Sequence, residues 1–476
     1  MNIQIITPQL FLFCWTLFVL LIDLFQKPDT RRMGLGYIAI LGLVITAVLT
    51  YMTPDGVGFF GTYASDAYGK LFNIIFLLTA VLTILASTDF VELRLKHKGE
   101  YYGLLLFATT GMMFLSGAVE LITLYVALEL ATIPLYVLAA FMKDDLKSSE
   151  AGIKYLIIGG ASSAILLFGI SLLYGLSGTT MLVDIKAVAM TSYQMNLGLG
   201  FALIMLIAGF GFKLAAAPFH MWAPDVYEGS PTPITAYLSV GSKAAGLVAF
   251  VRIFYGSLLI ANTDWILILE IVAVLAMVIG NYVALMQKNI KRMLAYSSIA
   301  QVGYVLVALI AGNGHAIIGM MIFLMAYAFA NIGAFMVAIG FSNKTGSDEI
   351  DDYSGMIRRN PLATSMMTIF MFSLVGLPPT AGFLGKYWLF AAAIKGEFYW
   401  IVVVAVLMSV VSLFYYVNVV RKMWFHKADD ESVIRFGPSL GIGITLSGIM
   451  VIVICVMPNT FYKWAAEAAR VFFPNF

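Results

Sequence analysis

Ionisable side chains lie inside long apolar stretches of this chain, where a charge is costly to place. Lys213 and Lys243 lie near the two ends of GFGFKLAAAPFHMWAPDVYEGSPTPITAYLSVGSKAAG, Glu129 lies in LYVALELATIPLY, and Lys386 follows GLPPTAGFLG. Apolar surroundings favour a neutral amine, whereas a nearby carboxylate favours the ammonium form. A lysine whose carboxylate partner moves away can therefore release its proton, so these residues have the chemistry of a switchable proton carrier.

Three further residues are candidates for a proton relay. Glu150 and Lys154 are four residues apart near the start of a predicted helix, which suits a relay element and an ordinary helix-surface ion pair equally well. His220 has a titration range that suits proton transfer, and we expect it two turns after Lys213 on a similar helix face; a hydrogen-bonded helix end is the alternative. Four other charged residues are interpreted as helix caps or groups near span ends: Asp225, Glu228, Arg252 and Glu270.

The elements that position these residues are predicted membrane spans. The 476 residues are 61% hydrophobic and only 11% charged, which is too apolar for a soluble domain of this size. A helix needs about 20 mostly apolar residues to cross a bilayer. The apolar runs predict fourteen spans, at 5–25, 34–52, 71–90, 101–118, 120–141, 150–174, 196–221, 233–258, 265–286, 294–312, 315–341, 361–394, 398–422 and 437–457.

Lysine and arginine are distributed unevenly over the predicted loops. The odd-numbered loops, which follow spans 1, 3, 5 and so on, hold eighteen of them, whereas the even-numbered loops hold only Lys70, Lys186 and Lys395. Basic residues concentrate in cytoplasmic loops. We therefore predict that odd loops face the cytoplasm and that both termini lie on the other side. Residues 460–474 are predicted to form an amphipathic tail at the interface.

Two of the predicted spans contain prolines at membrane depth. Pro218 follows Lys213 by five residues in span 7, and Pro378 and Pro379 precede Lys386 in span 12. Interrupted helices in equivalent positions of two repeats mark transport sites. Because these spans are five apart, equivalent helices would run in opposite directions. The sequence thus predicts an all-α polytopic membrane protein with two discontinuous helices and two inverted five-helix repeats, divided as 1–100, 101–258 (spans 4–8), 265–422 (spans 9–13) and 437–476.

The sequence contains no signature of a bound cofactor. It has no GxGxxG or GxxxxGK[ST] motif, which leaves nucleotide binding without support. Cys14 and Cys455 lie far apart and form no CxxC pair, so no metal, haem or iron–sulfur site is predicted. The charges lie in loops rather than on one face, and nucleic-acid binding is not indicated.

Four stretches resemble the antiporter-like membrane subunits of respiratory complex I: ALELATIPLYVLAAF, FGFKLAAAPFHMWAPDVYEGSPTPITAYLSVGSKAAG, KRMLAYSSIAQVGY and GLPPTAGFLGKYWLF. The resemblance covers nearly the whole chain. Length, the lack of a long lateral helix and a lysine in span 12 favour the N type. The resemblance implies a proton route through Glu129, Lys213, Lys243 and Lys386. We expect Lys386 on the outlet side, because it is the only predicted buried basic residue of the second repeat. Gln301 departs from relatives that often carry histidine there, and a glutamine cannot carry a titrating proton.

The resemblance also implies what surrounds the chain. It would be a translocase subunit of a bacterial inner-membrane NADH:quinone oxidoreductase without a redox site of its own. NADH, flavin, iron–sulfur clusters and quinone would bind partner subunits. Expected neighbours are an M-type antiporter-like subunit, small K- and J-type subunits, lipid and, indirectly, the peripheral redox arm. Two alternatives stay open, which are a subunit of a multisubunit cation/proton antiporter and a structural membrane subunit whose charges hold helices together.

Overall fold

The computed structural model describes residues 2–25, 33–192, 197–259, 262–428, 430 and 432–475. Helices dominate these residues because a chain in lipid must satisfy its backbone N–H and C=O groups internally. Three basic residues of the first predicted loop lie outside the described residues, namely Lys27, Arg31 and Arg32.

The helices follow one another with short connections. Those of the first half are α1 (Thr7–Leu24), α2 (Met33–Met52), α3 (Ala67–Arg94), α4 (Lys98–Gly117), α5 (Leu121–Ala139), α6 (Leu146–Ser177), α7 (Leu182–Ser192), α8 (Leu197–Leu214), α9 (Trp222–Gly229), α10 (Thr232–Tyr237) and α11 (Lys243–Phe254). Those of the second half are α12 (Asn262–Leu285), α13 (Ile290–Ile310), α14 (Gly314–Thr345), α15 (Met356–Arg359), α16 (Pro361–Val375), α17 (Ala381–Lys395), α18 (Tyr399–Phe425), α19 (Pro438–Val456) and α20 (Pro458–Ala469). Smaller elements are the 3₁₀ turns Ile3–Ile6 and Ile350–Tyr353, a π-helical turn Leu238–Ser242, and the antiparallel strands β1 (Gly56–Gly58) and β2 (Tyr63–Ser65).

Helices lie at all fourteen predicted span positions, and the prediction of an all-α polytopic membrane protein is confirmed. Twelve spans within the described residues are long and apolar enough to cross a bilayer. The other two predicted spans are α4 and the pair α16–α17. Helix α4 is almost entirely buried among other helices, so it needs no continuous apolar surface for lipid. Helices α16 and α17 have fifteen residues each because their span is interrupted.

The core lies around α14, whose side chains from Ile317 to Phe341 are all buried. It contacts α3, α13, α16, α17 and α19, and the C-terminal α20 also packs against it. Peripheral helices expose apolar faces instead, for example Ile153, Leu156 and Ile157 of α6. Lipid is the solvent for such faces, so they carry no penalty.

Loops of the same predicted side contact one another. Isolated β-bridges join Tyr63 to Ala118 and Glu120 to Met181 among the even-numbered loops, and Asn289 to Glu349 among the odd-numbered loops. This agrees with the predicted alternation of the spans across the membrane. The tail α20 is the predicted amphipathic helix; it buries Phe461, Ala465 and Ala468 and exposes Trp464.

Both predicted breaks are present. Helix α8 ends at Leu214, Ala215 adopts a left-handed conformation (φ 55°), and the next helix begins only at Trp222. Helix α16 ends at Val375, followed by Gly376 at φ 91°, and α17 begins at Ala381. The prediction that spans 7 and 12 are discontinuous is therefore confirmed. The division into two inverted repeats stays a prediction.

Candidate functional site

Lys213 lies in the last turn of α8, directly before the break, and only 2% of its side chain is exposed. Its Nζ lies 3.7 Å from Oε1 of Glu129 on α5. Ser163 of α6 lies between the two groups, since its hydroxyl donates to Glu129 and is 3.4 Å from Nζ. The hydroxyls of Thr132 and Tyr136 lie 3.4 and 3.5 Å from Nζ. The predicted buried pair is thus present in a shell of hydroxyl groups.

The two members of this pair differ in their surroundings. Glu129 is 21% exposed, and it lies on the same face of α5 as the exposed side chains of Val126 and Ile133. Opposite charges 3.7 Å apart attract by about 4 kcal/mol at an effective dielectric constant of about 20. Removing either partner would leave the other charge uncompensated at membrane depth. The charge state of Lys213 is therefore coupled to the position of Glu129.

Lys243 is the first residue of α11, directly after the π-helical turn Leu238–Ser242. Its buried Nζ donates to the carbonyl oxygen of Ser298 at 2.9 Å and to the Ser298 hydroxyl at 2.8 Å. Within the described parts of the chain no carboxylate lies in ion-pair distance of it. Single π turns within α-helices are frequent at functional sites. This turn was not evident from the sequence.

Small residues follow Lys243, namely Ala244, Ala245 and Gly246, and they permit a close helix contact. A Cβ atom on Gly246 would lie 3.4 Å from Cβ of Lys213 and 3.0 Å from Cδ2 of Leu214. Helix α11 therefore packs closely against the end of α8, and it brings the backbones that carry Lys213 and Lys243 together. No hydrogen bond joins these two lysines to each other among the described residues.

Lys386 lies in the second turn of α17, facing the break. Its Nζ donates to the carbonyl oxygen of Val375 at 2.8 Å and to the Ser409 hydroxyl at 3.0 Å, and it lies 4.4 Å from the centroid of the Tyr304 ring. The last carbonyls of a helix have no partner within the helix and attract cations. The interruption of span 12 therefore supplies a ligand for the lysine, and no acidic residue is needed to hold it.

A cavity of about 460 Å³ lies beside Lys386. It is lined mainly by apolar side chains of α17 and α18, including Phe383, Tyr387 and Val406, and Ser409 is one of its few polar groups. A water molecule needs two to four polar partners. Water would therefore be held only at the end of the cavity where Lys386 and the freed carbonyl lie.

Polar side chains fill the region between α13, α12 and α18, where the predicted route passes from Lys243 to Lys386. Gln301 donates to the Leu374 carbonyl at 2.9 Å and approaches the Tyr416 hydroxyl at 3.4 Å. The side-chain nitrogen of Asn281 donates to the Tyr304 hydroxyl at 3.1 Å. Its side-chain oxygen accepts a hydrogen bond from the Tyr415 hydroxyl of α18 at 3.0 Å. The two lysines do not contact each other directly, but the protein between them is not uniformly apolar.

The candidate relay residues Glu150 and Lys154 belong to a larger charged cluster on the odd-loop side. Lys154 lies 2.7 Å from both Glu150 and Asp225. Arg292 lies 2.9 Å from Asp225 and 2.8 Å from Glu228. Glu228 also pairs with Lys147 of α6. The cluster borders a cavity of about 180 Å³ lined by Lys147, Glu150, Ala151, Lys154, Asp225, Glu228, Gly229 and Arg292.

Two acids of this cluster, Asp225 and Glu228, lie on α9, outside the membrane spans. Burial acts to raise the pKa of Asp225, but hydrogen bonds and charge from Lys154 and Arg292 outweigh it, and the pKa is lowered. The same balance, with Arg292 and Lys147 as partners, lowers the pKa of Glu228. The interpretation of these two acids as a helix-capping pair is wrong, because α9 has no side-chain cap and both carboxylates bind cations instead.

His220 does not follow Lys213 along a continuous helix face. Helix α8 has already ended at Leu214, so His220 lies in the break. It is buried, its Nδ1 has no partner among the described residues, and it lies close enough to Lys243 for their charges to interact. The expectation of a shared face with Lys213 is wrong, and the relay role of His220 stays a prediction.

Arg252 has a structural environment, as the sequence indicates. It pairs with Asp66 through two nitrogens at 2.7 and 2.8 Å, donates to the Ser116 carbonyl at 2.8 Å, and stacks over the Tyr68 ring. These contacts join α11 to α3 and α4. The described residues hold no group of three His, Cys, Asp or Glu side chains that could bind a metal ion.

The sequence alone did not identify the polar partners of the buried lysines. They are neutral and lie in apolar helices, which is the usual setting of a hydroxyl bonded to its own backbone. The residues missed in this way are Thr132, Tyr136, Ser163, Ser298 and Ser409.

Comparison with known proteins places this arrangement in a family. The family model described as NADH:quinone oxidoreductase/Mrp antiporter, TM matches residues 118–412, which include all four candidate proton-transfer residues. The chain belongs to this class of membrane subunits.

The similarity also extends to named relatives over almost the full length. NADH-quinone oxidoreductase subunit N of Moorella thermoacetica is 44% identical over 450 residues, covering 94% of each chain, and that of Heliobacterium modesticaldum is 42% identical over 477 residues, covering 99% of this chain and all of the relative. Within the class, the chain is a member of the subunit N family.

Solved structures agree with this placement. A chain of respiratory complex I from Thermus thermophilus with bound aureothin is 30% identical, with a TM-score of 0.82, covering 97% of this chain and all of that one. A chain of an archaeal membrane-bound sulfane sulfur reductase is 26% identical, with a TM-score of 0.86, covering 99% and 97%. A chain of the Mrp complex from Dietzia sp. has a TM-score of 0.88 at 16% identity, covering 100% and 98%, which shows a shared fold alone.

Proposed function

We propose that this chain translocates protons across the membrane as the N-type subunit of an NADH-quinone oxidoreductase, using Glu129, Lys213, Lys243 and Lys386. The observation that carries the proposal is Lys213, which is almost completely buried beside a helix break and has Glu129 as its carboxylate partner. An ionisable group at membrane depth is costly and is by default functional. The similarity to subunit N over nearly the whole chain favours this function over cation/proton antiport.

The Glu129–Lys213 pair is the loading element of the proposed route. While Glu129 is near, its negative charge holds the proton on Lys213. When Glu129 moves away or is neutralised, burial favours the neutral amine, and the proton leaves. A loss of about 4 kcal/mol of attraction corresponds to a change of more than a hundredfold in proton occupancy. Ser163 keeps the carboxylate near the lysine while the pair is intact.

Lys243 and Lys386 are the following carriers. Each amine is held by one backbone carbonyl and one serine hydroxyl rather than by an acid. Such a site accepts a proton without first having to break an ion pair. His220 lies in the break near Lys243 and is a candidate proton relay between the Glu129–Lys213 pair and Lys243. Lys386 would release the proton on the even-loop side, after transfer through water and the polar groups around Gln301.

The other subunits supply the redox chemistry in this proposal. NADH, flavin, iron–sulfur clusters and quinone would bind there, and an M-type antiporter-like subunit together with small K- and J-type subunits would be membrane neighbours. The chain would lie in the bacterial inner membrane with both termini outside the cytoplasm. The two inverted repeats, 101–258 and 265–422, would contribute one broken helix each.

The decisive experiment compares Lys213→Ala with Lys96→Ala in the assembled complex, measuring protons moved per electron in inverted membrane vesicles. Lys96 is exposed in a loop and is a matched control. We expect Lys213→Ala to lower the ratio while NADH oxidation continues, and Lys96→Ala to leave it unchanged. A normal ratio in an assembled Lys213→Ala complex would contradict the proposal. Failure of the complex to assemble would instead indicate a structural role for the pair.

A further inference from the structure

Tyr227 is a completely buried residue of α9 whose function is not explained by the route above. Its hydroxyl has no hydrogen-bond partner within the described protein. A buried hydroxyl without a partner is costly, and such groups in native proteins usually bind ordered water. The ring itself is well fixed, since it packs edge-on against Trp222, and its carbonyl accepts a hydrogen bond from Thr235. The position of the free hydroxyl is therefore determined by the fold.

The Tyr227 hydroxyl is directed toward the residue that holds Lys243. It lies near Ser298, whose carbonyl and hydroxyl oxygens both accept from Nζ of Lys243. Tyr327 of α14 approaches the same serine, and its buried hydroxyl also lacks a partner in the described part of the chain. Two unpartnered hydroxyls beside one serine favour a small group of ordered waters at this point. Lys243 thus borders a polar site that reaches into α9.

The same helix carries the charged cluster on its other side. Asp225 and Glu228 lie two residues before and one residue after Tyr227, and both line the charged cavity on the odd-loop side. Ser230, just beyond Gly229 of that cavity, has a buried hydroxyl that again finds no partner among the described residues. Helix α9 therefore presents carboxylates to the cavity and a free tyrosine hydroxyl to the site of Lys243.

We propose that Tyr227 transfers protons from this charged cavity to Lys243, so that Lys243 is loaded independently of Lys213. The inference rests on the proposed function, since it requires Lys243 to carry protons. In the transfer, the Tyr227 oxygen takes a proton from water on the Ser230 side. Its own O–H bond breaks toward the water or hydroxyl at Ser298, which passes a proton to the neutral Lys243 amine. Tyrosine ends the step unchanged, and one proton has moved inward.

The adjacent buried Lys291 fits this arrangement. Its Nζ donates to the carbonyl oxygens of Glu228 and Ser230, at 2.6 and 3.0 Å, at the end of α9. A cation at a helix C-terminus stabilises the last turn. Lys291 therefore fixes the segment that joins the charged cavity to Tyr227, and it acts as a positioning residue rather than as a carrier.

The test measures protons moved per electron in inverted vesicles for Tyr227→Phe, Lys243→Ala and Tyr101→Phe. The Phe substitution keeps the ring and removes only the hydroxyl. Tyr101 is an equally buried tyrosine whose hydroxyl is bonded to Ser87, far along the chain from Lys243, so it controls for the loss of any buried hydroxyl. We expect Tyr227→Phe to show at least half of the decrease in the proton-to-electron ratio that Lys243→Ala shows, and Tyr101→Phe to keep the wild-type ratio.

A wild-type ratio in Tyr227→Phe beside a lowered ratio in Lys243→Ala would overturn the role of Tyr227 alone. A wild-type ratio in Lys243→Ala would overturn this inference together with the proposed function. If the Tyr227→Phe complex does not assemble, Ser230→Ala decides the question, because it removes one buried hydroxyl from the same path. A lowered ratio in Ser230→Ala supports the path, and an unchanged ratio overturns it.

Discussion

The ammonium group of Lys386 binds the carbonyl oxygen of Val375, the last residue of the helix half on the other side of the break, at 2.8 Å. The interruption of the span and the position of the lysine are thus parts of one arrangement. Gly376 makes this possible, since its φ of 91° turns the chain and a Cβ atom there would lie 2.9 Å from Cδ of Lys386.

We therefore predict that Gly376→Ala displaces Lys386 and lowers proton transfer. A residue with a side chain in this conformation costs on the order of 1–3 kcal/mol, and the lysine stem must also shift. The melting temperature of the purified complex and its proton-to-electron ratio should both fall. Gly441→Ala is the matched control, because no atom of the described residues lies within 4 Å of its added Cβ and α19 is helical there. Equal behaviour of the two variants would contradict the arrangement.

A second prediction concerns Ser163, which the sequence analysis did not select. Its hydroxyl donates to Glu129 and lies 3.4 Å from Nζ of Lys213, so Ser163→Ala should weaken the coupling without removing either charge. We expect a decrease in the proton-to-electron ratio that is smaller than that of Lys213→Ala. A hydrogen bond to a charged group contributes about 1.5–3 kcal/mol. Ser171→Ala on the same helix is the control, because that serine is exposed and, within the described part of the chain, its hydroxyl bonds only the carbonyl of Phe168. A ratio equal to that of the control would show that Ser163 plays no part.

The sequence could predict the spans, both breaks and the four ionisable residues because each depends on local residue type. Apolar length marks a span, proline marks a break, and a lone lysine in an apolar run is conspicuous. It could not predict the environment of Lys243, because the π-helical turn before it has no local signature. The predicted face of His220 was wrong for a related reason. Helix α8 ends at Leu214, well before the predicted end of span 7, and the break changes the direction of the side chains that follow it. Contacts such as that of Lys154 with Asp225 join residues far apart in the chain, so they cannot be predicted before the fold is known.

A third prediction concerns topology. Residues Asn2 and Lys344 should be labelled from opposite sides of the membrane, with Asn2 accessible from outside the cytoplasm, since Lys344 belongs to an odd-numbered loop. Both are exposed, whereas Arg359 in the next part of that loop is 9% exposed and is a poor site for labelling. Single cysteines at these positions would be treated with an impermeant thiol reagent in intact cells and in inverted vesicles. The background should lack Cys14 and Cys455. Labelling of both sites from the same side would refute the predicted topology.

The last prediction concerns Gln301, where the route from Lys243 to Lys386 passes the break in span 12. The side-chain amide nitrogen donates to the carbonyl of Leu374, the residue before Val375, while Oε1 is buried without a partner among the described residues. An unpartnered amide oxygen at this depth favours an ordered water molecule, and a water here would continue the polar region toward the freed carbonyl that holds Lys386. Gln301→Leu removes both polar atoms at similar volume, so it should interrupt the water path and lower the proton-to-electron ratio. Gln301→His restores polar atoms and adds a titrating group, so it should keep most of the activity.

Gln287→Leu is the control, since among the described residues the side chain of that glutamine bonds only the carbonyl four residues earlier on α12. The measurement is again protons moved per electron in inverted vesicles, together with a check that the complex assembles. Normal pumping in an assembled Gln301→Leu complex would show that protons reach Lys386 by a different path, or that the two lysines do not belong to one route.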